Sequence, residues 1–167
     1  MKFVKIIGIL FVLVAITFAG SYLWTIVTKP GVERTITIAA EPGEVWDILT
    51  DFDSYHEWNP FIVESTGAAE VGSVITNTID HNGSTMQFSP TILVAEPERE
   101  LRWLGRFIVP GVVDGEHYFL IEDLGNGEVR LTHGEHFRGA LVPFASGALD
   151  VGDGFDAMNR ALKERAE

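Results

Sequence analysis

A chain of 167 residues with 46% hydrophobic side chains has room for one ordinary domain and a short appendage, with enough apolar material for a sizeable core. It contains no cysteine, so disulfides, thiolate metal sites and a cysteine nucleophile are excluded. Formal net charge is −12; of the 12 basic residues Lys2 and Lys5 precede every acidic one, so the part from Lys29 onward carries 10 basic against 24 acidic groups, a balance of −14. Nucleic acid is not expected as a partner, because phosphate binding draws on a basic patch.

Residues Ile6 to Val27 (IIGILFVLVAITFAGSYLWTIV) hold no charge. At about 1.5 Å per residue they make a helix of roughly 33 Å, the thickness of a bilayer core. Lys2 and Lys5 precede the run, Lys29 and Pro30 close it, and Tyr22 and Trp24 fall where an interfacial aromatic belt would lie. Residues 1–28 are therefore expected to be a transmembrane anchor, and 31–167 the domain it carries. The rival is a cleaved signal peptide, but Ala19-Gly20-Ser21 is a poor cleavage site and the apolar run continues past it. The excess of positive charge at the N-terminus places that end in the cytoplasm and the domain on the outer, periplasmic or extracytoplasmic side.

From Val32 to Ala39 the chain alternates, with Val32, Arg34, Ile36 and Ile38 on one side, which predicts a first strand. Pro42, followed by Val45, Trp46, Ile48 and Leu49, opens a short amphipathic helix. Ser54 to Pro60 predicts a second short helix or turn. Six more strands are predicted near 61–67, 73–80, 85–95, 100–109, 112–123 and 128–138, separated by Gly72, Asn82-Gly83, Pro97, Pro110-Gly111 and Gly125-Asn126-Gly127. A final helix is expected from about Val142 to Ala166, best patterned at Phe155, Met158 and Leu162; Gly147, Gly152 and Gly154 weaken its first half, which could bend or move. This order gives an α+β fold: one curved seven-stranded antiparallel sheet around a long C-terminal helix, with space between them for a ligand.

The run ITIAAEPGEVWDILTDFDSYHEWNPFI, together with LRWLGRF and GEHYFLIEDLGNGEVRLTHGEHFRGALVPF, resembles the SRPBCC superfamily, which includes START lipid-transfer and polyketide cyclase/dehydrase-like proteins. The resemblance covers roughly 31–167. It implies a helix-grip fold with a pocket under the C-terminal helix, and leaves the chemistry open, because the fold hosts carriers, sensors and a few enzymes.

Strand alternation puts Leu101, Trp103 and Phe107 on an inner face, with Met86, Phe88, Ile92 and Val94 from the preceding segment. The last hairpin adds His117, Phe119 and Ile121, and Val129, Leu131, His133, Glu135 and Phe137; Tyr118 and Leu120 fall opposite, so that strand is not cleanly amphipathic. The expected ligand wall is Met86, Phe88, Trp103, Phe107, Phe119, Phe137, Phe155 and Met158, with Trp58 and Phe61 at an entrance and the polar residues His117, His133 and Glu135 among the aromatics. Those three could act as acid and base, since a carboxylate in apolar surroundings has a raised pKa, or could simply satisfy one another. No metal is expected, because nothing in the spacing fixes a coordination geometry, and no cofactor fingerprint occurs.

The leading expectation is a membrane-tethered binding domain for a hydrophobic small molecule or lipid. The alternative is a cyclase or dehydratase using Glu135 and His117 as acid and base, and a third reading is an accessory envelope protein with a closed pocket.

Overall fold

The computed structural model describes residues 2–81, 83–145 and 147–167. Helix α1 (Lys2–Thr28) is exposed along almost its whole length and is the one described helix long and apolar enough to cross a membrane, a property that a signal sequence near the N-terminus shares. Lys29 and Pro30 turn the chain into β1 (Gly31–Ile38), whose inward residues Val32, Arg34, Ile36 and Ile38 are those of the sequence pattern. Helix α2 (Pro42–Thr50) begins where its capping dictates. Proline occupies the first helical turn, and Glu41 and Glu44 form a reciprocal capping box. A 3₁₀ turn (Phe52–Ser54) and α3 (Tyr55–Trp58) follow, with Tyr55 buried and its hydroxyl donating to the Leu49 carbonyl at 2.7 Å.

The predicted α+β architecture, a curved antiparallel sheet with a long C-terminal helix, is present; among the described residues its strands number eight and fall into two sheets. β2 (Ile62–Thr66), β3 (Thr76–His81) and β4 (Ser84–Phe88) form one antiparallel sheet; β5 (Thr91–Glu96), β6 (Glu100–Phe107), β7 (Val113–Gly125) and β8 (Glu128–Arg138) join β1 in the order β1-β8-β7-β6-β5. The expected strand 85–95 breaks at Ser89-Pro90, because proline has no N–H to give a ladder. The two sheets still meet at this corner, where Ile75 N–H donates to Pro90 O and Ile92 N–H to Ser73 O. Asn82, half of the predicted Asn82-Gly83 turn, lies outside the described residues.

Helix α4 (Gly152–Ala166) starts some ten residues later than the sequence suggests; Val142–Phe144 is a 3₁₀ turn instead. Its buried stripe is Phe155, Met158, Asn159 and Leu162. Gly152 and Gly154, which the sequence marks as weak points, are places of close approach. A Cβ on Gly152 would run into the Arg34 guanidinium, and one on Gly154 into the Phe61 ring. Arg34 Nε also bonds Asp156 Oδ2 at 3.0 Å, and Lys163 Nζ bonds the Thr37 carbonyl at 2.7 Å, so α4 is held to β1 along its length.

On the outer face Tyr118 is buried although it points away from the core. Its hydroxyl donates to Glu33 Oε2 at 2.7 Å and its ring lies under Arg102, which in turn bonds Glu100 and Glu116. Gly134, opposite in register, leaves the room that the ring fills. The hairpin therefore lacks a clean apolar and polar alternation because its outer face is covered by its own side chains.

Candidate functional site

The register of the last three strands brings the sequence-predicted polar residues together. Trp103 pairs with His117, His117 with Glu135, and Phe119 with His133, all on the face that α4 covers. His117 Nε2 and His133 Nε2 are 2.9 Å apart, His133 Nδ1 is 2.9 Å from Asn159 Oδ1 on α4, and His117 Nδ1 is 3.6 Å from Glu135 Oε2. A continuous polar row, Asn159-His133-His117-Glu135, thus runs from under the helix toward the edge of the sheet. Asn159 was not singled out from the sequence. The signal was its position four residues after Phe155 and three before Leu162, which puts an amide into the apolar stripe.

Aromatic rings clamp this row on both sides. Trp103 stacks on His117 at 4.5 Å between centroids and 9° between planes; Phe155 stacks on His133 at 3.8 Å and 16°. Phe119 contacts both imidazoles and Phe61 packs edge-on to Phe155. Burial holds His117 down at about 3; burial, and then the neighbouring His117, hold His133 well below the ordinary histidine value. Burial also pushes the Glu135 carboxyl up to about 8. All three side chains are therefore neutral at pH 7.

Neutral imidazoles fix the direction of the protons. With Asn159 Oδ1 accepting, His133 carries its proton on Nδ1 and accepts at Nε2, so His117 donates from Nε2 and keeps a bare Nδ1 facing the protonated Glu135. The row ends at a group that can give a proton, and that end is the accessible one. The Glu135 side chain is 19% exposed against 6% for His117. It lies over Gly115, where no side chain competes for the space.

The expected ligand wall is assembled in part. Trp103, His117, Phe119, His133, Phe137, Phe155 and Met158 are buried on the inner face, and Phe61 is buried between α3 and α4. Phe88 and Trp58 are half-buried and pack against the core. Two residues stand away from it. Met86 is 50% exposed on β4, at the margin of the three-stranded sheet, and Phe107 is 55% exposed as the last residue of β6, beyond the reach of α4. Between the sheet and α4, Phe155, Met158, His133 and Phe119 are fully buried. Two open recesses of about 350 and 470 Å³ lie elsewhere, between α1 and the outer face of β6 to β8. Among the described residues no three histidines or carboxylates are grouped to hold a metal ion.

A curved antiparallel sheet closed by a C-terminal helix, lined with aromatics and a few neutral polar groups, defines a helix-grip protein. Residues 29–167 match the model of the family described as polyketide cyclase / dehydrase and lipid transport, and the chain belongs to that family. Its fold is similar to a START superfamily protein from Mycobacterium smegmatis (19% identity, TM-score 0.63, covering 81% of this chain and 96% of that one). An aromatase/cyclase from a Streptomyces species is similar at 19% identity and TM-score 0.65, over 81% and 93% of the two chains. Norcoclaurine synthase from Thalictrum flavum is similar at 10% identity and TM-score 0.62, over 81% and 84%. Among curated proteins none matches.

Proposed function

We propose that the chain is a membrane-tethered binding domain for a hydrophobic small molecule or lipid that carries one polar group. The observation behind this reading is the neutral row Asn159-His133-His117-Glu135 set inside an aromatic wall. A protonated carboxyl and an imidazole can hydrogen-bond a carbonyl or hydroxyl, while the rings take the apolar body. In this reading the apolar body of the ligand enters where Phe61 packs edge-on to Phe155 at 5.6 Å, with α4 lifting from α3. Two buried donors next to that pair, Trp58 Nε1 and Asn59 Nδ2, have no hydrogen-bond partner among the described residues, which favours this corner as the one that opens. Helix α1 would act as the anchor, with its N-terminus in the cytoplasm and the domain outside. The two residues between Thr28 and Gly31 reach at most about 7 Å, so the domain would work at the bilayer surface.

Native mass spectrometry of the full-length protein, extracted from its host membrane in detergent, tests the binding reading. A co-purifying apolar molecule is expected. A ligand-free protein whose melting temperature does not respond to a broad library of apolar compounds would overturn it.

The carboxyl pushed up to about 8 supports a second reading, a cyclase or dehydratase in which Glu135 is the acid and His117 the base. Here His117, held down at about 3, would serve as a proton relay more readily than as a strong base. Turnover of a polyketide-like carbonyl compound that is lost in Glu135→Gln would establish it; turnover retained in that variant would exclude it.

A further inference from the structure

The loop from β6 to β7 presents Phe107, Ile108 and Val109 to solvent at 55%, 76% and 51% exposure. Ile108 is also strained, with a φ of +69° that β-branched residues rarely adopt. The segment Ala140-Leu141 is hydrogen-bonded to this loop through Gly111 O and Val112 O, and just after it Phe144 is 65% exposed. Four large apolar side chains thus project from one end of the sheet.

That end is where α1 docks. Gly139 N–H donates to Thr25 Oγ1 at 3.2 Å, and a Cβ on Gly111 would touch the Tyr22 ring at 3.6 Å. The run Phe3 to Tyr22 is 20 residues, or about 30 Å of helix, the thickness of a hydrocarbon core. If that run fills the core, Tyr22 lies at its boundary and the apolar loop beside it lies at the same depth. The 470 Å³ recess opens there, between Phe18 and Tyr22 on one side and Arg106, Asp114 and Arg138 on the other.

Those three charged residues face one another in register across β6, β7 and β8. Asp114 is 6% exposed; its Oδ2 accepts the Gly111 N–H at 3.1 Å, while its Oδ1 is buried without a partner among the described residues. Neither arginine forms an ion pair with a described residue. The row is positive, negative, positive.

We propose that this junction is a phospholipid-binding face, with Phe107, Ile108, Val109 and Phe144 entering the interfacial layer and the Arg106-Asp114-Arg138 row taking a zwitterionic headgroup. The arginines face its phosphate, and the Asp114 carboxylate, which lines the recess between them, faces its amine. A phosphate-amine headgroup fits better than an anionic one, because the chain from Lys29 onward carries −14 and is repelled by anionic surfaces. The inference rests on the reading of α1 as a membrane span.

The natural absence of cysteine allows single labels. Full-length protein in phosphatidylethanolamine/phosphatidylcholine vesicles would carry an environment-sensitive fluorophore at Val12→Cys, Ile108→Cys or Asn126→Cys, and quenching by lipid-borne nitroxides would be read. Asn126 sits at the far end of β7, about 40 Å from the loop. Quenching is expected at Val12 and Ile108 and not at Asn126. Quenching at Val12 with none at Ile108 overturns the proposal and leaves the anchor standing; no quenching at Val12 overturns the anchor and the proposal with it. Combining Ile108→Cys with Arg106→Gln and Arg138→Gln should remove most of the Ile108 quenching, and undiminished quenching takes the charged row out of the site. Loss of quenching must come with an unchanged circular dichroism spectrum, so that it reports lost lipid contact in a folded chain.

Discussion

Nε2 of His117 and Nε2 of His133 face each other at 2.9 Å, so the two imidazoles share one proton between these atoms. Burial keeps both rings neutral, and the amide of Asn159 decides which ring donates. With Oδ1 toward His133, the donor is His117 and Glu135 faces a bare nitrogen; turning the amide over would reverse every proton in the row. Nitrogen-15 spectra of the imidazoles should therefore show His133 protonated at Nδ1, His117 protonated at Nε2, and no titration of either between pH 5 and 8. An imidazolium signal appearing in that range would mean that the row is not sealed.

Glu135 should make stability depend on pH in an unusual direction. Its carboxyl titrates near 4.5 when unfolded and near 8 when folded, so its contribution is complete below pH 4.5 and is lost as pH rises through 8. The histidines act the other way, their contribution being complete above about 6.5 and lost as pH falls toward 3. Of these three groups Glu135 dominates the slope between pH 6.5 and 8, up to about 2 kcal/mol over that window. Urea denaturation should show the natural protein losing stability across this window relative to Glu135→Gln. Parallel curves would mean that Glu135 is already ionised.

Gly154→Ala should destabilise the domain although it raises helix propensity. The propensity gain is about 1 kcal/mol, but the new Cβ overlaps Phe61, and overpacking of this kind costs about 1–3 kcal/mol. Gly147→Ala, where nothing lies within 4 Å, is the control and should be close to neutral. The two midpoints in urea decide it; if Gly154→Ala is as stable as the control, Phe61 moves freely, and the closed corner is looser than its packing suggests.

Removing residues 1–28 should move the protein from the membrane to the soluble fraction, since α1 is apolar and uncovered along almost its whole length. The proposed lipid face predicts weak residual binding to phosphatidylethanolamine vesicles, too weak to survive washing. A truncated protein that stays tightly membrane-bound, or a natural chain that loses its first helix in the cell, would remove the anchor reading.

Much of the architecture is written locally. Alternation marks β1, β6 and β8, proline and the capping box mark the start of α2, and the long uncharged run marks α1; each depends on neighbours a few residues apart, which a sequence displays directly. Strand parity also placed Trp103, His117, Phe119, His133, Glu135 and Phe137 on one face, because side chains alternate strictly along a strand.

Tertiary structure decided the rest. Parity could not show that Pro90 divides one strand into two, nor that Met86 and Phe107 lie beyond the cover of α4, because cover is set by where a helix that begins 66 and 45 residues further along the chain comes to rest. Nor could it join Asn159 to His133, 26 residues apart, and so give the histidines their proton order. The glycines at 152 and 154 read as flexibility in one dimension and are contact points in three, since only the folded chain brings Arg34 and Phe61 against them. Sequence determined which side chains face inward; packing over long separations determined which of them touch, and whether the space between is open or filled.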